Sequence, residues 1–434
     1  MPYNIIVGRD EADKARFGEQ GLIYLGKLFV KMGQTSSLSN KIFMDVARSH
    51  VLLVAGKRGS GKSYTLSVIA EELTLLPEEV RKNIASLIFD TMGIFWTMAY
   101  PNEKETALLR EWQLKPQRLP VRVFVPFGFV KKYDESGVPY TNEFAINPYE
   151  LDAADWGLTF GLKMIDPAGI LLDRTITDLK AKEKEFGIDD IIEEIRVDVK
   201  AGKEEKDLLE NFFLGAKTWG IFSEKATPIN KLVQAGKTTI LDLSRYNVLG
   251  SYNVRGLVIS LVSRKLFQER MMYRKKEEVE AVRHGLEYLQ YKEKREMPMV
   301  WLMLDEAHEF LPKQGKTVAT DALIQLLREG RQPGISLVLA TQQPGEIARD
   351  VMTQADIVIS HSITAKPDVE ALNRMMQTYI LKDIQSYLNQ LPHLKGSAII
   401  LDDTSEHIYP IRIRPKYTWH GGEAPTAIKV KKRF

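Results

Sequence analysis

The stretch VLLVAGKRGSGKSYTLSVIAEEL, Val51 to Leu73, constrains the fold more than any other part of the chain. An unbroken apolar run enters a glycine-rich turn, and an amphipathic pattern leaves it. The turn, Gly56-Lys57-Arg58-Gly59-Ser60-Gly61-Lys62-Ser63, fits G-x-x-x-x-G-K-[ST] between a predicted strand and a predicted helix. Its glycines let successive N–H groups curl toward an anion, and the following helix aims its positive end the same way. Gly56 through Tyr64 are therefore the expected nucleotide-binding segment. Lys62 is expected to reach the β- and γ-phosphates, and Ser63 to ligate magnesium. The expected cofactors are ATP and Mg2+.

Seven further apolar runs, separated by helical patterns, complete the picture: 85–91, 121–127, 238–244, 299–307, 335–342, 356–361 and 397–403. Most are continuous rather than alternating, as in parallel strands covered on both faces. The predicted fold is a doubly wound α/β domain with its ligand at the strand C-termini. Residues 151–234 lack strand signals and read as a helical insertion between two parts of the core, 49–150 and 235–425. A short segment, 1–48, precedes the core and a basic tail, 426–434, follows it. The charged run 268–297 interleaves acids and bases, the pattern of a solvated helix face.

A second motif completes the nucleotide site. In VWLMLDEAHEFLP the apolar run ends in Asp305 and Glu306. An Asp so placed helps hold magnesium, and a neighbouring Glu can deprotonate an attacking water. Gln342, at the end of the 335–342 run, carries an amide able to sense the γ-phosphate or the lytic water. Arg331, and less so Arg328, are candidates for a catalytic finger that stabilises the transition-state charge, although basic residues also complement a helix C-terminus.

Composition narrows the remaining classes. The 434 residues contain no cysteine, which removes disulfides and thiolate chemistry, and the seven histidines show no zinc-ligand spacing. No apolar run reaches membrane-spanning length and the N-terminus carries no leader pattern, so a cytoplasmic protein is expected. A net charge of +3 gives no overall argument for nucleic acid. Local candidates are Lys131 and Lys132 in FGFVKKYDESG, and Lys429, Lys431, Lys432 and Arg433 in the tail; a solvated loop and a solubilising tail are the competing readings.

Together, GKRGSGKS, LMLDEAHEFLP, LLREGRQPGISLVLATQQP and the closing IRIRPKYTWHGGEAP resemble the HerA/FtsK superfamily of ring-forming DNA-pumping ATPases, in its archaeal HerA-like branch. The resemblance implies a RecA-like ATPase core, a hexamer around double-stranded DNA, hydrolysis at subunit interfaces, and partnership with a nuclease of NurA type in DNA repair. Two departures stand out. About 50 residues precede the phosphate loop, too few for the family's N-terminal β-barrel, of which GLIYLGKLFVKMG reads as a remnant; the nuclease partnership is in doubt accordingly. FDTMGIFW stands where the family typically reads Asp-Pro-His-Gly-Glu-Tyr, so Asp90 and Gly93 persist while Ile94 replaces the acid. The competing function is an ATP-switched scaffold in a defence, conjugation or secretion complex.

Overall fold

A computed structural model describes residues 4–32, 35–247, 253–375, 384–392, 394–423 and 427. The tail lysines and Arg433 lie outside them. Thirteen strands occur in chain order as β1 (Ile5–Val7), β2 (Leu22–Met32), β3 (Thr35–Asp45), β4 (Val51–Ala55), β5 (Ile84–Asp90), β6 (Arg122–Pro126), β7 (Asn142–Phe144), β8 (Thr238–Asp242), β9 (Met299–Leu304), β10 (Ile335–Thr341), β11 (Ile357–Ser360), β12 (Ser397–Asp402) and β13 (His407–Ile413). They form one sheet ordered β1-β3-β2-β13-β12-β11-β4-β10-β9-β5-β8-β6-β7.

From β11 to β7 every neighbouring pair is parallel. β4, β5, β8, β10 and β11 are buried along their whole length. Unbroken apolar runs of this kind stay dry only under helices on both faces. The phosphate-loop helix, Lys62–Leu75, is itself buried around most of its circumference, with Thr65, Leu66, Ser67, Val68, Ile69 and Ala70 all enclosed. The amphipathic pattern expected there is thus corrected: sheet and C-terminal segment together leave this helix almost no wet side.

All eight runs singled out from sequence are strands. The other five strands, of which β2 falls on the stretch GLIYLGKLFVKMG read as a β-barrel remnant, lie mostly on the antiparallel extension, where β12 pairs with β11, β13 with β12, β2 with β13, and β3 with β2, all antiparallel. The segment before the phosphate loop is therefore hydrogen-bonded into the same sheet. Gly26 makes that junction feasible, since a Cβ there would lie 2.1 Å from the Arg412 carbonyl oxygen. The short parallel edge strand β7 is the other addition.

Residues 151–234 hold the helices Ala153–Phe160, Pro167–Ala181, Ile188–Val197, Lys203–Lys217 and Ile229–Leu232. A reciprocal cap between Asp152 and Asp155 starts the first of them. Trp156 packs against Phe160, Phe213 and Phe222, giving the group an aromatic core of its own. The charged run 268–297 falls largely on the helix Val254–His284, whose first half is buried and whose second half carries ion pairs such as Arg274 with Glu278.

Candidate active site

The sheet order decides which side chains meet. β10 lies between β4, which feeds the phosphate loop, and β9, which ends in Asp305-Glu306, so Gln342 emerges between the two motifs. Gly59 and Gly61 adopt φ of +74° and +119°, the left-handed region that L side chains avoid, and these curl the loop. Gly61 caps the Lys62–Leu75 helix without a side-chain bond, leaving its first N–H groups for a ligand. The loop is tied to the sheet by Gly56 N–H to the Thr341 carbonyl (3.3 Å) and Lys57 N–H to the Ser362 carbonyl (3.0 Å).

The Ser63 hydroxyl donates to Asp305 Oδ2 at 2.5 Å, bringing together the two groups expected to serve magnesium. Asp305 Oδ1 accepts the Glu306 N–H at 2.9 Å. Glu306 holds φ +52° and ψ +43°, a costly conformation for a residue with a Cβ, and its Oε1 accepts a bond from the Gln342 amide. Burial raises the Glu306 carboxyl above its ordinary range, and Asp305 raises it further, against the opposing pull of Gln342, Lys62 and His308. Burial lowers the Lys62 ammonium, opposed by Glu306 and Asp305. Its Nζ lies 3.4 Å from the Lys57 carbonyl.

These residues fit a nucleotide triphosphate with its cation. Ser60 Oγ and Glu306 Oε2 are buried without a hydrogen-bond partner, an expensive condition unless a ligand or water completes them. At Gly56 a Cβ would come within 2.4 Å of Ser60 Oγ, so the cradle admits only hydrogen there. The N–H groups, the Lys62 cation and the Ser63–Asp305 pair match phosphate and a hard oxygen-seeking ion respectively. Glu306 is placed to take a proton from water, and Gln342 to fix the orientation of that carboxyl.

Two expected members stand elsewhere. The Tyr64 side chain turns from the loop, donating to Glu105 Oε2 (2.9 Å) and accepting the Lys416 N–H (2.6 Å), so any role of Tyr64 toward nucleotide falls to its backbone. Arg331 and Arg328 stand before β10, at the opposite end of that strand from Gln342; seven residues at about 3.3 Å each make roughly 23 Å. Arg331 pairs with Asp356 (2.7 Å) and Arg328 with Asp350 (2.7 Å). Arg331 cannot reach the phosphate loop of its own chain.

Lys131 and Lys132 are exposed on the helix Val130–Ser136, not on a loop as expected, at the same edge of the sheet as the phosphate loop. Arg245, just beyond β8, donates to the Lys132 carbonyl (3.3 Å) and joins this basic group; the sequence reading missed it, though an Arg three residues past a strand end was the available signal.

Three further features surround the site, of which His361 had no local signature. His361, fully buried, donates Nδ1–H to the Ser397 carbonyl (3.1 Å) and accepts at Nε2 from the Thr65 hydroxyl (2.9 Å). Its ring floors the loop, 3.3 Å from where a Gly61 Cβ would be, and burial drops it to about 4, so it stays neutral. Asp90 accepts the N–H groups of Met92, Gly93, Ile94 and Phe95, and faces Asp242 across β5 and β8. Ile94 packs beneath Gly422, where a Cβ would lie 3.4 Å from Ile94 Cδ1. Arg414 is fully buried against Glu71 (2.8 Å) and Glu72 (2.9 Å) of the phosphate-loop helix.

A parallel sheet with a phosphate loop after one strand and an Asp-Glu pair after another defines a RecA-like P-loop ATPase. Known structures agree: the fold is similar to VirB4 of Thermoanaerobacter pseudethanolicus (TM-score 0.55, 13% identity, 91% of this chain and 96% of that one). It is also similar to the bacterial conjugative coupling protein TrwB (TM-score 0.52, 11% identity, 86% and 87%). Residues 23–266 match the family described as Helicase HerA, central domain, and the chain belongs to that family. A relative from Methanocaldococcus jannaschii, the probable DNA double-strand break repair helicase HerA, is 22% identical over 422 residues, covering 87% of this chain and 76% of the relative. The protein is thus a nucleotide-binding, ATP-hydrolysing member of the HerA family. Among the described residues no helix is long and apolar enough to cross a membrane.

Proposed function

We propose that this ATPase is a ring-forming translocase or helicase on double-stranded DNA, a homo-hexamer that couples hydrolysis of magnesium-bound ATP to DNA movement. In this reading Lys62 holds the β- and γ-phosphates, Ser63 and Asp305 hold the ion, Glu306 activates water and Gln342 orients it. Arg331 supplies the transition-state cation to the neighbouring subunit. The observation that carries the ring is the position of Arg331, with its side chain 67% exposed at the far end of β10, useless to its own site and available to another. Lys131 and Lys132, exposed at the nucleotide edge, and the half-buried Arg245 beside them serve DNA phosphates without reading bases. End processing with a nuclease of NurA type, as in DNA repair, is the pathway this family membership favours.

The test has two parts. ATPase rate should rise with double-stranded DNA, with affinity falling linearly in log-log form with salt, and Lys131→Ala with Lys132→Ala should flatten that slope. Glu306→Gln and Arg331→Ala proteins, each nearly inactive alone, should regain activity when mixed under subunit exchange, because roughly a quarter of interfaces in a random ring then pair a sound site with a sound Arg331. Indifference to every nucleic acid would instead support the ATP-switched scaffold. That second reading draws on the apolar side chains that the connections between the 151–234 helices leave in solvent, Ile165 and Val199 above all.

A further inference from the structure

Arg331 ends a chain of alternating charge that begins at the other end of the polypeptide. Arg9, just past β1, donates Nε–H to Asp45 Oδ1 at 2.7 Å. Asp45 Oδ2 lies 3.1 Å from His50 Nε2, and His50 Nδ1 lies 2.8 Å from Asp356 Oδ2. That same Asp356 oxygen accepts Arg331 Nη2–H at 2.7 Å. Both carboxylates are fixed by backbone, Asp45 by the Arg48 N–H and Asp356 by the Val51 N–H. Arg9, Asp45 and His50 are buried; Arg331 alone is exposed, opening on a cavity of about 790 Å³ that His50, Gln332 and Asp356 also line.

The geometry requires a charged His50. Each ring nitrogen faces a carboxylate oxygen, and only the imidazolium has a proton for both. Within the hydrogen-bonded chain two carboxylates then face three cations, and the exposed cation is Arg331. If His50 loses its proton, the count becomes two against two. Asp356, whose side chain is only 11% exposed, then has Arg331 as its one remaining charged partner in the chain, beside neutral donors such as the Val51 N–H.

We propose that His50 is a positioning residue that sets how firmly Asp356 holds Arg331. With His50 protonated, Asp356 keeps a partner after Arg331 departs, and the guanidinium is free to engage a neighbouring subunit. With His50 neutral, departure leaves a buried carboxylate with neutral donors only, and Arg331 is retained. This rests on the reading that Arg331 acts on a neighbouring site. The charged groups around His50 are Asp45 at the end of β3, Asp356 before β11, Asp402 at the end of β12, Arg9 after β1 and Arg331 before β10. Burial by itself would lower the imidazole, but hydrogen bonds and charge from Asp356 and Asp45 lift it to about 9.

The experiment measures steady-state ATPase of the full-length protein from pH 6.5 to 10. The parent should lose kcat as pH passes about 9, with KM for ATP unchanged. His50→Gln should be slower by roughly fivefold or more at pH 7.5 and lack that alkaline fall. His50→Gln combined with Asp356→Asn should recover the parental rate, because nothing is left to retain Arg331; a residue needed only for folding would not be rescued so. Parental kcat in His50→Gln, or no recovery in the double variant, overturns the proposal. If His50→Gln does not fold, Asp356→Asn decides: loss of the alkaline fall supports the latch, and its persistence overturns it. Arg331→Ala separates the two levels. A parental rate there defeats the neighbouring-site reading itself, whereas an inactive Arg331→Ala beside an unaffected His50→Gln defeats the latch alone.

Discussion

Arg414→Met offers the sharpest test of what holds the phosphate-loop helix. Arg414 and Glu71 each have 0% side-chain exposure, and methionine fills much of the arginine's length without its charge. The substitution strands the Glu71 carboxylate. Removing one partner of a buried pair costs about 3–5 kcal/mol. Glu71 keeps three neutral donors, with Thr418 N–H and Oγ1–H on Oε1 (2.9 and 2.6 Å) and Tyr417 N–H on Oε2 (3.1 Å). That residual solvation places the loss at the lower end, about 3 kcal/mol, a large part of the roughly 5–15 kcal/mol that folded chains possess. Glu71→Gln in the same background removes the uncompensated charge while retaining an acceptor for Thr418. The double variant should recover about half of the loss, since a neutral amide costs far less to bury. Urea unfolding should show a lower midpoint for Arg414→Met at unchanged slope, partly restored in the double variant. A loss below about 1 kcal/mol, or strictly additive losses, would refute the reasoning that this pair is desolvated and coupled.

Glu306→Gln should lower kcat by roughly a hundredfold to ten-thousandfold with nucleotide affinity retained, whereas Lys62→Ala should abolish affinity; equilibrium binding of labelled ATP beside turnover separates the two. Because the Glu306 carboxyl is raised, the base is lost from above its ordinary 4.5 downward, so the acid limb of the rate profile should lie above that value and vanish in the Gln variant. Asp90 and Asp242 predict a stability effect. Burial and the neighbouring charge of Asp242 raise Asp90 from 3.8 to about 7, so the folded state binds the extra proton and stability falls as pH rises through that window. Asp242→Asn should flatten the difference between urea midpoints at pH 5.5 and pH 8, and an unchanged difference would count against the pair.

Local pattern alone wrote the core of this protein. A strand buried on both faces must be apolar throughout, so all eight principal runs could be read directly, and a phosphate loop needs glycines at fixed spacing whatever surrounds it. Asp305, Glu306 and Gln342 follow strand ends for the same reason, and parallel order guarantees that such ends share an edge. The pairing of β2 with β13 escaped because it is antiparallel and between distant segments, with Gly26 chosen by the Arg412 carbonyl rather than by any local turn. Only the tertiary structure decided that His361 floors the phosphate loop, that Arg414 neutralises Glu71, and that His50 and Arg331 share one oxygen of Asp356. His50 and Asp356 are 306 positions apart, and Arg414 and Glu71 are 343 apart. Periodicity encodes which face of an element is dry; it carries no information on which distant charge will be enclosed beside it. That choice is made when strand order closes the sheet, and desolvation then turns chance neighbours into obligatory partners.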